Sequence, residues 1–531
     1  FSVLMLLTNI GIFSNWLSIP TEVSPSYGAT LDINQQVLKN DLFFGTGPGS
    51  FASDYGLYRS ESLNETVFLN IRFNQGISKV FSLPATLGIF GLLMWLATVI
   101  GFAVYGFLKL VRHRGKNWAL ALGAFSAWLF MAVLQFLYTT NLTLEFVFWA
   151  LLAVAFLSIK TLRPAEEERG DDFSKIESMD IKFDRTSPLA SILSFVIVII
   201  LVLTISAFYL GGSYYWADVL YQRGLQAVAT KNDLDNGSKL ISRAVLLNPY
   251  NDLYLRSLSQ AALLRVNQEL QKEQSAERDS NIQNLIATAI NIAKRSTELS
   301  PGNVDNWEQL GVIYRAVMPY TAGADQWAFD SFKQASKLEP QNPFYHYELG
   351  LSYITAARTV ASLVQQDDKE AEAKVNDYLV KAEEALARSV AVKSDYSPAL
   401  YQPALVYDYQ GKLDQAIAKM KIARDLNSQD VGVAFQLGLL YYKQPDLNSA
   451  RAEFERAVML DQNYSNALYF LGLVYDKQGD KARAKEQFEK VAKLNPDNQE
   501  VKTILSNLNA GKAALPEPTN LPIDEKVPKN Q

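Results

Sequence analysis

The stretch "FLGLVYDKQGD", residues 470–480, decides how the C-terminal half of this chain folds. It sets Leu471, Gly472 and Tyr475 at positions that "FQLGLLY" (435–441) repeats as Leu437, Gly438 and Tyr441. The two glycines stand 34 residues apart (472 − 438), and Ala404, with Tyr407 in the matching place, stands another 34 earlier (438 − 404). The second half of the unit recurs as well: Ala416, Met420, Ala423; Ala450, Phe454, Ala457; Ala484, Phe488, Val491, Pro496. "WEQLGVIY", from Trp307, leads to Ala328, Phe332, Ala335 and Pro340 in the same order. Small residues let two helices approach, large ones fill the gap to the next pair, and proline ends the second helix because it cannot donate into a helix interior.

This is the tetratricopeptide pattern of paired helices stacked into an α-solenoid, with roughly seven units between 212 and 510. They run 214–250, 251–301, 304–340, 341–394, 397–428, 431–462 and 465–496. The second and fourth carry the insertions "QKEQSAERDS" and "TVASLVQQDDKEAEAK". Residues 497–510 read as the polar capping helix that an open solenoid end requires. The Pro-rich, charged tail 511–531 reads as disordered. His346 falls where Trp307 sits in the preceding unit and reads as a packing aromatic.

Upstream the composition changes. Residues 1–19, 80–110, 118–138, 142–159 and the run "PLASILSFVIVIILVLTISAFYLGG" from Pro188 are apolar. Each is about 18 residues or more, enough for a helix to cross a hydrocarbon core of ~30 Å. Backbone groups in lipid must pair within their own segment, so these runs predict helices. The fold class is therefore all-α: about five transmembrane helices (1–211) followed by the repeat solenoid. The chain opens at Phe1, inside an apolar run, and the reading is that sequence is missing upstream. The short basic connection "KLVRHRGK" (109–116), which includes His113, belongs on the cytoplasmic side, as does the loop 160–187 with five Lys and Arg after Lys160. The loop 20–79 and everything after Gly212 then face outward from the cytoplasmic membrane.

Several chemistries are excluded at once. There is no cysteine, hence no disulfide, thiolate metal site or cysteine nucleophile, and two histidines do not make a metal centre. A net charge of −5 provides no field for nucleic acid. "LFFGTGPGSFASDYGLYR" (42–59), with Gly45, Gly47 and Gly49 alternating, lacks the third glycine of a dinucleotide fingerprint and the Gly-Lys-Ser/Thr of a phosphate loop. It reads as a turn in which glycines supply positive φ and Pro48 fixes a bend.

"FFGTGPGSF", a polar loop, then "ISKVFSLPATLGIFG" opening an apolar run resembles the O-antigen ligase and polymerase family over roughly residues 1–160. That family joins glycans carried on a lipid pyrophosphate to an acceptor outside the membrane, with no metal, nucleotide or other cofactor. Its second element, a His-[Asn/Ser/Gln] pair before Gly-x-x-Gly, is matched by Ser78, Gly88 and Gly91, whereas Ile77 occupies the histidine's place. The resemblance implies arginines on the pyrophosphate and a group assisting the acceptor hydroxyl. A leaving pyrophosphate is best held by the guanidinium fork, and a hydroxyl needs a positioned base. The loop offers Arg59 and Arg72 as cations, with Glu61, and also Glu65 and Asp54, as carboxylates. Arg72, Arg59 and Glu61 are thus the catalytic candidates. Gly45, Gly47, Gly49, Asn74 and Gln75 are the substrate-binding candidates. The expected partners are membrane lipid, a lipid-linked glycan donor and a protein held on the solenoid's concave face.

Two alternatives stay open. A non-enzymatic, membrane-anchored scaffold for an envelope complex accounts for the same repeats and spans. A transporter usually needs intramembrane charges, and Glu145 is the main one available.

Overall fold

The computed structural model describes residues 23–113, 117–162, 188–231, 233–363 and 368–515. Their regular structure is entirely helical, and it divides into two compact units between Trp216 and Ala217.

The first unit contains α1 (Tyr27–Asn40), α2 (Phe51–Tyr58), a 3₁₀ turn (Glu61–Glu65), α3 (Lys79–Arg112), α4 (Trp118–Leu137), α5 (Leu142–Lys160) and the start of α6 (Pro188–Lys231). Four helices, α3 to α6, are long and apolar enough to cross a membrane, α6 over Ser194–Ala229. The expected first span, residues 1–19, lies outside the described residues, as do 163–187 in the second basic loop.

Helices α3, α4 and α5 pack as a bundle with α3 and α4 antiparallel. Near one end the Trp118 indole donates to the Leu110 carbonyl at 2.8 Å. Phe102 meets Trp128 edge-on at 4.7 Å, and Trp95 meets Phe136 at 5.6 Å. A Cβ on Gly106 would lie 2.5 Å from the Phe125 ring, so this glycine sets how closely α3 and α4 approach. Toward the other end, the Lys79 amide donates to the Tyr138 carbonyl (3.2 Å), and its ammonium pairs with Glu145 at 3.2 Å.

The second unit stacks helix pairs. The C-terminal part of α6 packs on α7 (Leu234–Leu247) through Gly224 and Gly237. Then follow α8 (Asp252–Leu270) with α9 (Ala276–Leu299), α10 (Val304–Ala316) with α11 (Ala324–Leu338), and α12 (Pro343–Leu363) with α13 (Lys369–Val392). The last three pairs are α14 (Ser397–Tyr409) with α15 (Leu413–Leu426), α16 (Val431–Lys443) with α17 (Leu447–Leu460), and α18 (Ser465–Lys477) with α19 (Lys481–Leu494). The closing helix is α20 (Gln499–Asn509). Asp430, Asp446, Asp480 and Asn498 cap the helices that follow them by accepting backbone N–H bonds, which satisfies donors the first turn leaves open. The insertions lengthen helices: α9 and α13 each have 24 residues, against 14 in α15, α17 and α19.

The period of 34 residues has a steric origin. A Cβ on Gly438 would stand 2.6 Å from the Phe454 ring, and one on Gly472 2.7 Å from the Phe488 ring. Alanine serves at 404 where the narrower Met420 takes the ring's place; both are fully buried. His346 repeats Trp307: the Trp307 indole donates to the Pro301 carbonyl (2.8 Å), and His346 Nε2 lies 3.4 Å from the Pro340 carbonyl. The solenoid end is covered by Val501, Ile504 and Leu508 of α20. The start of the expected disordered tail is held instead: Asp476 accepts from the Ala514 amide at 2.8 Å, and the Lys512 carbonyl from Lys481. Residues 516–531 lie outside the described residues.

Candidate functional site

In the first unit the decisive feature is a break in α3. Gly88 sits at φ 65°, ψ −170°, a conformation almost confined to glycine, four residues after Pro84. The break removes the helical bonds Ile89 would make to Ala85 and Phe90 to Thr86. Buried backbone groups must find other partners, and loop 42–47 supplies them. Thr46 N–H donates to the Ala85 carbonyl (2.9 Å) and Gly47 N–H to that of Thr86 (3.1 Å). Ile89 N–H donates to Leu42 (3.0 Å) and Phe90 N–H to Phe43 (3.2 Å). Two lost bonds are thus replaced by four.

The approach needs glycine on both sides. A Cβ on Gly45 (φ 64°) would lie 2.3 Å from the Ala85 carbonyl oxygen, and one on Gly88 2.3 Å from the Phe43 carbonyl. Gly47 and Gly49 also take positive φ, 112° and 81°. The glycine stretch is a clasp on a broken helix. Beneath it Asp54, almost fully buried, accepts from the Thr46 hydroxyl (2.6 Å) and from Ser50 (3.2 Å). Burial raises the Asp54 carboxyl above its ordinary range, against the lowering effect of those two hydroxyls. Ile33, Val37, Phe51, Tyr55 and Ala85 form the small core that ties α1 and α2 to the same segment.

Arg59, 4% exposed, ends α2, and its guanidinium donates to the Leu69 carbonyl (2.6 Å) and to Asn64 (3.2 Å). It shapes the 60–69 loop from inside. Arg72 is half-buried, and Glu61 and Asn74 are exposed. Gln75 is half-buried and donates to the Thr140 carbonyl at 3.2 Å, tying the loop to the start of α5. The structure brings the two glycine elements of the sequence together, 43 residues apart at Gly45 and Gly88 (88 − 45). Beside them lies an open depression of about 540 Å³ lined by Phe44, Pro48, Leu87, Phe90 and Met94 among others. Among the described residues no group of three metal-binding side chains occurs.

In the second unit the first helices of the pairs present a partly exposed aromatic stripe. Phe470 contacts Phe435, Tyr442 and Phe454, each at 5.8 Å, and Lys477 lies over the Tyr442 ring at 4.2 Å. Lys443 pairs with Asp408 on the preceding first helix at 2.5 Å. Leu405 and Leu439, on the same first helices, are half-buried. Further along, Tyr347 faces Tyr396 at 5.9 Å, and Arg315 pairs with nearly buried Glu348 at 2.6 Å. Burial pushes the Tyr396 hydroxyl up to about 12. The helical period had marked only the core positions of these helices; the stripe occupies the positions between them.

A tetratricopeptide-repeat family model matches residues 465–498 and a second matches 401–467. No curated protein matches the chain in sequence. Similar solved structures include YrrB, described as a tetratricopeptide protein with an unusual peptide-binding site: 16% identity over 40% of this chain and 95% of that one, TM-score 0.27. A tetratricopeptide protein from Parabacteroides merdae has 16% identity over 56% of this chain and 99% of that one, TM-score 0.35. MamA has 21% identity over 35% of this chain and 92% of that one, TM-score 0.25. Residues 401–498 are tetratricopeptide repeats, set in a longer helical solenoid and suited to binding protein.

Proposed function

We propose that this chain is a membrane-anchored tetratricopeptide protein whose solenoid holds a protein partner outside the cytoplasmic membrane. The observation that carries the reading is the stripe of Tyr401, Leu405, Leu439, Tyr442 and Phe470 along successive first helices, none of them fully buried. Aromatic side chains of this kind supply contact area at low entropy cost, and stacked repeats build extended binding surfaces. The anchor is supported by α6, whose most apolar 18-residue stretch is wholly unburied, although the helix packs on α7 further along. Lys109 and Arg112 at the far end of α3 support the cytoplasmic placement of that end.

The test is photocrosslinking from the full chain in its native membrane. A benzophenone amino acid at Leu439 should give a discrete protein adduct, and one at exposed Glu489 on α19 should not. Equal labelling from both positions, or none from Leu439, would reject the stripe as the binding face.

A second, finer reading is that the membrane unit is the C-terminal part of an O-antigen ligase-like enzyme that transfers or polymerises lipid-pyrophosphate-linked glycans. The meeting of Gly45 with Gly88 favours it, since these glycines belong to the two elements carrying that resemblance. Arg72 is then the cation toward the pyrophosphate, with Glu61, Asn74 and Gln75 around the acceptor and the buried Arg59 holding the loop in shape. Arg72→Ala in the complete protein should abolish transfer in membrane preparations, and undiminished transfer would remove Arg72 from the site.

A further inference from the structure

We infer that Phe43 and Phe44, carried by the glycine clasp, form an aromatic wedge seated in the boundary layer of the lipid bilayer; this rests on the membrane reading of α3 to α5. Phe44 is 74% exposed and Phe43 53% exposed, so neither is part of the core. Both are fixed in place. Phe43 stacks on Phe90 at 5.1 Å, Phe44 meets the same ring edge-on at 5.7 Å, and the clasp bonds hold the backbone beneath them. A rigidly held, exposed aromatic pair needs an apolar neighbour.

Helix length gives the level at which it stands. The Leu110 carbonyl meets Trp118 beside the basic end of α3. Twenty residues separate Leu110 from Phe90, about 30 Å of helix, which matches the hydrocarbon thickness. Helix α4, 20 residues long, covers the same interval and ends at Leu137. Phe90 and the two rings on it therefore stand at the opposite boundary, where Phe and Leu side chains of interfacial segments bury about 5–10 Å into the headgroup–acyl region. Beyond Gly88 the chain does not continue the span. Residues 79–87 turn back to meet Tyr138 and Glu145, at the ends of α4 and α5.

Lipid fits the wedge better than another helix does. Membrane helices pack through small residues that let backbones approach. The exposed strip here, Leu42, Phe43, Phe44, Phe90, Leu93 and Met94, consists of large side chains. Farther down α3 the exposed face carries Ile100, Val104 and Phe107, with the small Ala97 and Gly101 among them, so the wholly large-residue part is the clasp end. The wedge would hold α1, α2 and the loop that follows them against the bilayer surface.

The chain has no cysteine, so single cysteines can be labelled without background. The experiment places an environment-sensitive fluorophore on Phe44→Cys, Leu129→Cys and Glu61→Cys in the full chain in phosphatidylcholine–phosphatidylglycerol liposomes. Nitroxide lipids are the quenchers, and protection of the Thr46 and Gly47 amides from hydrogen exchange verifies that the clasp is intact. The wedge requires emission at 44 to be lost to shallow nitroxides about as fully as emission at 129 is lost to deep ones, with 61 unquenched. If 129 is quenched while 44 behaves like 61, the wedge is refuted and the membrane reading survives. A blue-shifted label at 44 that lipid nitroxides do not reach would mean protein covers the tip, and also refutes it. If 129 is not quenched, both readings fall.

Discussion

Replacing Gly88 by alanine should open the clasp, because two costs arise at one residue. The first is backbone strain: φ 65° with ψ −170° lies in a region where a side chain costs about 1–3 kcal/mol. The second is contact, since the new Cβ would stand 2.3 Å from the Phe43 carbonyl, and backbone cannot swing aside as a side-chain tip can. Relief requires either loop 42–47 to lift or α3 to become regular at 85–90, and both sacrifice the four loop–helix bonds. Each is worth about 0.5–1.5 kcal/mol net, partly recovered if Ile89 and Phe90 return to helical partners. A net cost of about 3 kcal/mol is the conservative figure, and it raises the open population roughly 100-fold. Hydrogen exchange followed by mass spectrometry reads this directly. The amides of Thr46 and Gly47 donate to α3 in the closed form and should exchange about 100-fold faster in Gly88→Ala, while α18 and α19 remain unchanged. Unaltered exchange at 46 and 47 would refute the claim that Gly88 conformation holds the loop.

Gly472→Leu should destabilise the solenoid by about 1–3 kcal/mol through overpacking against Phe488, seen as an earlier thermal transition in circular dichroism. Phe488→Ala in the same chain should restore part of it, and simple additivity of the two losses would argue against direct contact. Asp54 gives a pH dependence: its folded carboxyl titrates above the unfolded value of 3.8, so the folded form holds its proton more tightly. Clasp stability contributed by this group is greatest at low pH and falls as pH rises through that window. Protection of residues 45–54, corrected for intrinsic exchange, should decline over that rise, and Asp54→Asn should flatten the profile. His346 has the opposite sense, its pKa lowered by burial. Solenoid stability should fall as pH drops below 6.5, and His346→Trp, matching Trp307, should remove that loss from the melting curve.

The repeats were legible because their geometry is periodic. A ring at 454 or 488 demands the absence of a side chain at 438 or 472, so the pattern is written into spacing alone. Residues such as Met420 opposite Ala404 are variations that keep the same volume. The long apolar helices were legible from composition, and Glu145 was visible as an exception without its partner, since Lys79 lies 66 residues away (145 − 79) and on another helix. The clasp was not legible as a unit. Gly45, Gly47 and Gly49 announced a turn, but nothing local in sequence says that this turn supplies the partners for a helix broken at Gly88. Arg59 illustrates the limit at the candidate site. Its charge suggested a phosphate cradle, whereas its burial, evident only in three dimensions, assigns the guanidinium to Leu69 and Asn64. Glu61 and Asn74 are exposed and Arg72 half-buried, whereas Arg59 is buried.

In the proposed topology the 23–78 segment and the repeats occupy one side of a membrane, and the basic end of α3 the other. Because the sequence contains no cysteine, Glu61→Cys, Asp497→Cys and Asn117→Cys can each be probed alone with a membrane-impermeant maleimide on intact cells. The account predicts that positions 61 and 497 label from outside and that position 117 labels only after permeabilisation. Labelling of 61 and 497 from opposite faces would contradict it.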